Sequence, residues 1–211
     1  MSDAGVKGSD GKPRCGWART PEYVTYHDDE WGRPVVDDTR LYEKLCLEGF
    51  QSGLSWLTIL RKRENFRRAF GGFDPATVAA FGAADVDRLL GDASIVRHRG
   101  KIEAAINNAG ATVGVQEELG SLAALVWSFE PRRRGRAVPV DLGDVPATSP
   151  ESVALSKELK RRGFRFVGPT TAYAAMQSLG IVNDHLHGCH VRTACDRDRR
   201  AATVPAPRSN L

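Results

Sequence analysis

The sequence predicts an all-α fold. Three observations carry it: apolar residues recur with a period near 3.6 in almost every segment, alternating β-like runs are nearly absent, and helix-start signatures repeat along the chain. With 211 residues and no linker, repeat or low-complexity tract, the expectation is one helical globule of two lobes around a shared cleft, spanning residues 14–195.

Residues 1–13 are rich in Gly, Ser, Asp and Lys and have no apolar period, which predicts a disordered leader. Thr20-Pro21 pairs an N-cap with proline at the first helical position and opens a short helix through Tyr23, Tyr26 and His27; Gly32-Arg33-Pro34 ends it. Asp37 or Asp38 caps the next helix, and a further one runs from about Ser55 to Phe70 before Gly71-Gly72 breaks it. Asp74-Pro75 starts a short helix through Val78 and Phe81, followed by another from about Ala84 to Leu90. Beyond a tight connector come a helix through Ile102, Ala105, Ile106 and Ala109 and a second, after Leu119, ending near Trp127. Glu130 to Asp144, with R-R-R-G-R at 132–136, reads as a solvated loop. Ser149-Pro150 opens a helix from Glu151 to Arg162, and Pro169 opens one through Tyr173, Met176 and Leu179. Asn183-Asp184 caps a last helical turn holding His185, His187 and Cys189, and the polar residues 196–211 predict a disordered tail.

No apolar run approaches the roughly 18 residues of a membrane span, and the first residues lack the hydrophobic segment of a secretory signal, so a cytosolic protein is the default. A net charge of +4 favours an anionic partner but also suits an ordinary, mildly basic protein. Cys15, Cys46, Cys189 and Cys195 in a cytosolic setting point to free thiols or metal ligands rather than disulfides. Walker phosphate loops, nucleophile-elbow serines and H-E-x-x-H motifs are absent, against the common nucleotide, esterase and zinc-hydrolase chemistries.

Three constellations carry chemistry. Leu41, Leu45, Glu48 and Ser52 share one helical face, so a carboxylate stands where an apolar contact is expected, and Gly49 and Gly53 loosen the helix before Trp56. Either Glu48 is a buried acid beside an aromatic pocket or it snorkels to water from a helix end. His185 and Cys189 stand four apart at a spacing a tetrahedral ion accepts; Cys15 and His27 supply a second pair, with His187, His190 and Cys195 as competing ligands. Ser94 to Lys101 packs Arg97, His98, Arg99 and Lys101 between two helices, either a phosphate-binding helical hairpin or a solvated basic turn. Its Ala93-Ser94-Ile95-Val96 departs from the glycine-rich turn of helix-hairpin-helix elements, and Gly100 comes late.

Taken together, C-G-W at 15–17, Y-x-x-Y-H-D-x-E-W-G at 23–32, L-E-G-x-Q-x-G-L-S-W at 47–56, R-H-R-G-K at 97–101 and V-N-D-H-x-x-G-C at 182–189 closely resemble the DNA-3-methyladenine glycosylase I family. The resemblance implies a helix-hairpin-helix glycosylase that flips N3-methyladenine out of alkylated double-stranded DNA and hydrolyses it off, releasing free 3-methyladenine without strand cleavage. It implies one structural Zn2+ on Cys15, His27, His185 and Cys189, stapling the terminal segments together. It places Glu48, Tyr26 and Trp56 at the base pocket, Glu48 as the candidate catalytic acid or base, with Trp17 and Tyr23 as further wall candidates. Ser94, Arg97, Arg99, Gly100 and Lys101 become the candidate DNA contacts. A monomer, cytoplasmic and nucleoid-associated when bound to DNA, is expected, with no membrane partner. A non-catalytic damage-recognition module and a zinc-dependent hydrolase are the rival classes; four protein ligands argue against the second.

Overall fold

The computed structural model describes residues 5–132 and 136–208, so Arg133, Arg134 and Gly135 of the basic run, residues 1–4 of the leader and 209–211 of the tail lie outside the described residues. The helices are α1 (Pro21–Asp29), α2 (Asp38–Gln51), α3 (Trp56–Ala69), α4 (Pro75–Ala79), α5 (Ala83–Gly91), α6 (Arg99–Leu119), α7 (Leu122–Trp127), α8 (Pro150–Arg161), α9 (Pro169–Ser178) and α10 (Arg192–Ala201). Thr20, Asp37, Ser55, Asp74 and Ser149 each accept a first-turn amide, which fixes where α1, α2, α3, α4 and α8 begin. None of the described helices is long and apolar enough to cross a membrane.

The axis of the molecule is α2. Leu41, Tyr42, Leu45, Cys46, Leu47 and Phe50 are all buried, because α3, α6, α7 and α9 all pack against it. Against α3, Phe50 meets Phe66 with ring centroids 4.6 Å apart, and just beyond that helix Phe70 stacks on Phe73 at 5.4 Å. The Tyr42 hydroxyl donates to the Ala105 carbonyl at 2.8 Å, so the central helix carries no unsatisfied phenol there. Asp38 accepts the Leu122 and Ala123 amides at 2.9 Å each, anchoring the N-terminus of α7 to the start of α2.

Four sequence expectations are corrected. Part of the leader forms a hairpin, with β1 (Val6–Lys7) antiparallel to β2 (Pro13–Arg14). It is fastened by Arg14, whose guanidinium donates to Asp10 at 2.8 Å and to Asp28 of α1 at 2.7 Å, a long-range tie that composition does not reveal. Residues 183–190 are not helical; Gly188 at φ +84 turns the chain. The tail holds α10 instead, fixed by Arg33 to Asp198 at 2.6 Å and Asn183 to Asp196 at 2.7 Å, and the Arg208 amide donates to the Leu119 carbonyl at 3.1 Å. Finally, Gly49 does not loosen α2: it lies within the helix, and a Cβ there would come 3.2 Å from Phe166, whereas Gly53 at φ +80 makes the turn into α3.

Candidate active site and metal centre

Helix α1 supplies Tyr23 and Tyr26, α2 supplies Glu48 and the first residue of α3 is Trp56; with Trp17 and Trp31 they wall a cavity of about 360 Å³. Gln177 and Asp184 also line it. Such a volume falls in the range of about 300–1,000 Å³ that suits a small-molecule ligand. Trp17 meets Tyr23 edge-on at 5.6 Å and Tyr26 lies tilted to Trp56 at 5.5 Å, so the five residues expected at the pocket from sequence do converge.

Glu48 is 7% exposed and therefore buried, not snorkelling. Burial pushes its carboxyl up from the ordinary glutamate value, and Lys44, whose Nζ lies 3.4 Å from Oε1, works the other way. The sequence reading missed Lys44, although K-x-x-x-E is the i,i+4 signature of a helical ion pair. It also missed Asp184 as a second buried carboxylate on the cavity. Asp184 accepts from Arg136 at 2.6 Å, Tyr173 at 2.7 Å and Gln177 at 2.9 Å, so its lone pairs are committed to the protein.

Beside this pocket, Cys15, His27, His185 and Cys189 are all buried with their ligand atoms within 4.8 Å of one another, and they could hold a metal ion. Metal bonds of about 2.0–2.1 Å to nitrogen and 2.3 Å to sulfur set tetrahedral edges of roughly 3.3–3.8 Å. The separations are 3.2 Å between the two ring nitrogens, 3.4 and 3.5 Å from Cys189 Sγ to His27 and His185, and 3.6 Å from Cys15 Sγ to His185. Each histidine is oriented from outside: His27 Nδ1 lies 2.8 Å from the Asp28 carboxylate and His185 Nε2 lies 2.9 Å from the Trp31 carbonyl. With those nitrogens donating, Nε2 of His27 and Nδ1 of His185 turn lone pairs inward, the arrangement a metal-binding histidine needs. The Cys15 thiol pulls Cys189 towards thiolate, with His185 and His27 helping against burial. Gly32, at φ +80, is required here, since a Cβ would come 2.9 Å from His185. Of the competing ligands, His187 is exposed, the Cys195 sulfur lies 4.0 Å from the Trp31 carbonyl outside the cluster, and His190, 3.1 Å from Asp28, forms with His27 and Asp28 a second, less buried group that could hold an ion.

The basic connector between α5 and α6 divides. Arg97 and Arg99 are exposed, Arg99 lying 3.3 Å from Asp87 and 3.5 Å from Glu103, and the amides of Arg99 and Gly100 stand in the first turn of a 21-residue helix. The Ser94 carbonyl accepts from Lys62 at 2.9 Å and Asn65 at 3.2 Å, which ties the turn to α3. Lys101 does not join them. It is 8% exposed and its ammonium donates to the Phe50 carbonyl at 2.9 Å and the Ser52 carbonyl at 2.5 Å, closing the C-terminal end of α2. A side chain spent in this way is not presented to a phosphate.

Residues 17–193 match the profile of the methyladenine glycosylase family. The chain belongs to this family. A curated member, DNA-3-methyladenine glycosylase 1 of Escherichia coli, is 49% identical over 177 residues, covering 83% of this chain and 95% of its own. Among solved structures, a crystal structure of 3-methyladenine DNA glycosylase I superposes with a TM-score of 0.80 at 49% identity, covering 84% of this chain and 98% of that one. The Staphylococcus aureus glycosylase, whose structure concerns 3-methyladenine recognition, superposes at 0.77 with 36% identity, covering 82% and 93%. These methyladenine glycosylases share the helical architecture described above, so the all-α expectation holds.

Proposed function

We propose that this chain excises N3-methyladenine from alkylated double-stranded DNA by hydrolysis, leaving an abasic site in an intact strand. The observation that carries it is a buried carboxylate, Glu48, at the wall of a cavity built from Tyr26, Trp56, Trp17 and Tyr23. The family and the S. aureus relative's recognition of 3-methyladenine supply the lesion.

A base inside a duplex is out of reach, so the nucleotide is flipped out at a cost of a few kcal/mol, lower for damaged bases. N3-methyladenine on deoxyribose is cationic and leaves as a neutral base, which makes its glycosidic bond weak and removes the need for a strong general acid. Stacking on Trp56 favours the cationic ring by about 0.5–2 kcal/mol, and Glu48 accepts hydrogen bonds from the adenine edge while opposing its charge. Water then captures the oxocarbenium-like sugar.

Zinc is the ion assigned to Cys15, His27, His185 and Cys189, where it would serve as a structural cross-link with no open position for water. The commitments of Lys101 to backbone carbonyls and of Lys44 to Glu48 support excision without a lyase amine. The test is chromatographic identification of bases freed from methylated duplex DNA, with strand breaks scored before alkali. Wild-type protein that binds the DNA but frees no 3-methyladenine would make it a recognition module, and enzyme-dependent breaks would show a lyase nucleophile.

Arg97 and Arg99, with the Gly100 amide, are the proposed backbone contacts. Replacing both arginines with Gln is expected to weaken binding to every sequence alike and to flatten the salt dependence by about one to two units of slope. An unchanged slope would move the contact to another surface, with Arg132 and Arg136 next. Lys101→Met should behave differently, leaving the salt slope in place while lowering unfolding stability by about 1–3 kcal/mol through the two stranded carbonyls. Denaturant titration separates the two effects.

A further inference from the structure

We propose that Lys44 is a positioning residue for Glu48: its ammonium keeps the carboxylate ionised at the pocket wall and thereby sets the acid side of the pH–activity profile. The inference rests on the excision reading above for its activity arm.

Lys44 and Glu48 stand one turn apart on α2, and the Lys44 side chain is 12% exposed. Its Nζ lies 3.4 Å from Glu48 Oε1, donates to the Tyr26 hydroxyl at 2.5 Å and sits 3.8 Å from the centroid of the Trp56 ring. A hydroxyl, a carboxylate and an indole face thus fix one ammonium among three of the residues that build the pocket. Lys44 itself lines a separate cavity of about 200 Å³, on which Tyr26 and Trp56 also border, and does not line the base pocket. It therefore acts through Glu48 rather than on the base.

The surrounding charges leave Lys44 to this task. From α1 and its cap, Glu30 is bound by Arg63 of α3 at 2.7 Å; on α2, Glu43 is bound by Arg67 at 2.8 Å and also faces Arg40 at 3.5 Å. Across the base pocket, Asp184 is held by Arg136 at 2.6 Å, and Arg33, which lines the cavity with Lys44 and Asp29, is held by Asp198 at 2.6 Å. Glu30, Glu43 and Asp184 each pair with an arginine, whereas the cation paired with Glu48 is Lys44. Burial pushes Lys44 down to about 8 and pushes Glu48 up, and their mutual attraction opposes both shifts. Without the ammonium, Glu48 is a buried carboxylate with its cation removed, and it takes up a proton at higher pH. Protonated, it offers an O–H donor in place of an acceptor and no longer opposes the charge of the base.

The experiment follows Glu48 directly, by carbon NMR of protein labelled at the glutamate carboxyl, with its signal identified by loss in Glu48→Gln. In Lys44→Met and Lys44→Gln the Glu48 midpoint is expected to rise by about one pH unit or more, a tenfold gain in proton affinity, while Lys44→Arg stays near wild type. The acid limb of base release should move by the same amount in the two neutral variants. In the wild type, which needs no substitution to fold, the Lys44 side-chain signal should shift at the Glu48 midpoint. An unmoved Glu48 midpoint in the neutral variants, a uniform loss of activity at every pH, or a Lys44 signal blind to Glu48 would each overturn the proposal. Wild-type protein that frees no base would instead defeat the excision reading, and the NMR titration would still decide the role of Lys44.

Discussion

A Cys15→Ala chain is expected to lose the zinc proposed at the Cys/His cluster and most of its stability. Structural zinc contributes an apparent binding free energy of about 10–16 kcal/mol in small zinc domains, and that energy is folding energy wherever the site exists only in the native chain. Here one sulfur is a quarter of the ligand set, and the small buried cluster around it, with Leu186, Cys189, Val191 and Cys195, has little apolar area of its own. Removing the sulfur also strips the Leu186 amide of its acceptor at 3.3 Å. Metal content and thermal unfolding of Cys15→Ala and His185→Ala measure the effect: near-complete loss of metal and a fall of several kcal/mol are expected. Full metal content in both proteins would remove the assignment. Chelation of the wild type should reproduce the instability, because the same cross-link is lost without touching a side chain.

For Glu48→Gln the expected result is a fall in 3-methyladenine release of about ten- to a hundredfold with DNA binding changed far less, the loss of one charge-assisted hydrogen bond and of the opposing charge. The substitution keeps the shape of the wall but leaves Lys44 without its carboxylate at 3.4 Å. A buried ammonium without a counter-charge gives up its proton more readily, so some stability is lost as well. Trp56→Ala should cost about 1–3 kcal/mol of base stacking, and it too uncovers Lys44. Equal activity of wild type and Glu48→Gln on methylated duplex would remove Glu48 from the mechanism. Single-turnover rates at saturating enzyme distinguish slow chemistry from weak binding.

The helices were legible because their starts are chemical. Thr20, Ser55, Asp74 and Ser149 cap where a short polar side chain precedes an apolar period, and three of those four are followed by proline. That Cys15, His27, His185 and Cys189 meet in one cluster and that the aromatics line one cavity was legible from motifs. What failed was anything decided by long-range pairing. The spacing of His185 and Cys189 fits a helical turn, yet Arg192 donates to the His185 carbonyl and the Asn183 side chain to the Arg192 carbonyl at 3.1 Å, and those bonds hold an irregular loop. Helix α10 reads as a polar tail because its buried positions are Cys195 and Arg199 rather than a hydrophobic stripe. Lys101 reads as one of four basic residues in a row of five, and nothing local says that its stem reaches the carbonyls of Phe50 and Ser52. Lys44 was different, since its relation to Glu48 was present in the sequence as a four-residue interval.

The wide separation of the two halves of the Cys/His cluster has a consequence for the birth of the protein. Cys15 and His185 are 170 residues apart and His27 and His185 are 158 apart, yet their ligand atoms meet. At roughly 5–20 residues per second, synthesis needs on the order of ten to thirty-five seconds to travel from the first ligand to the last. During that interval the emerging chain offers any ion two of the four ligands, and α9, which packs on α2, is made only just before His185. The four-ligand shell proposed for zinc can therefore close only once residues 185–189 have been made, and a chain that ends short of Cys189 would leave Cys15 and His27 without the other half of the site.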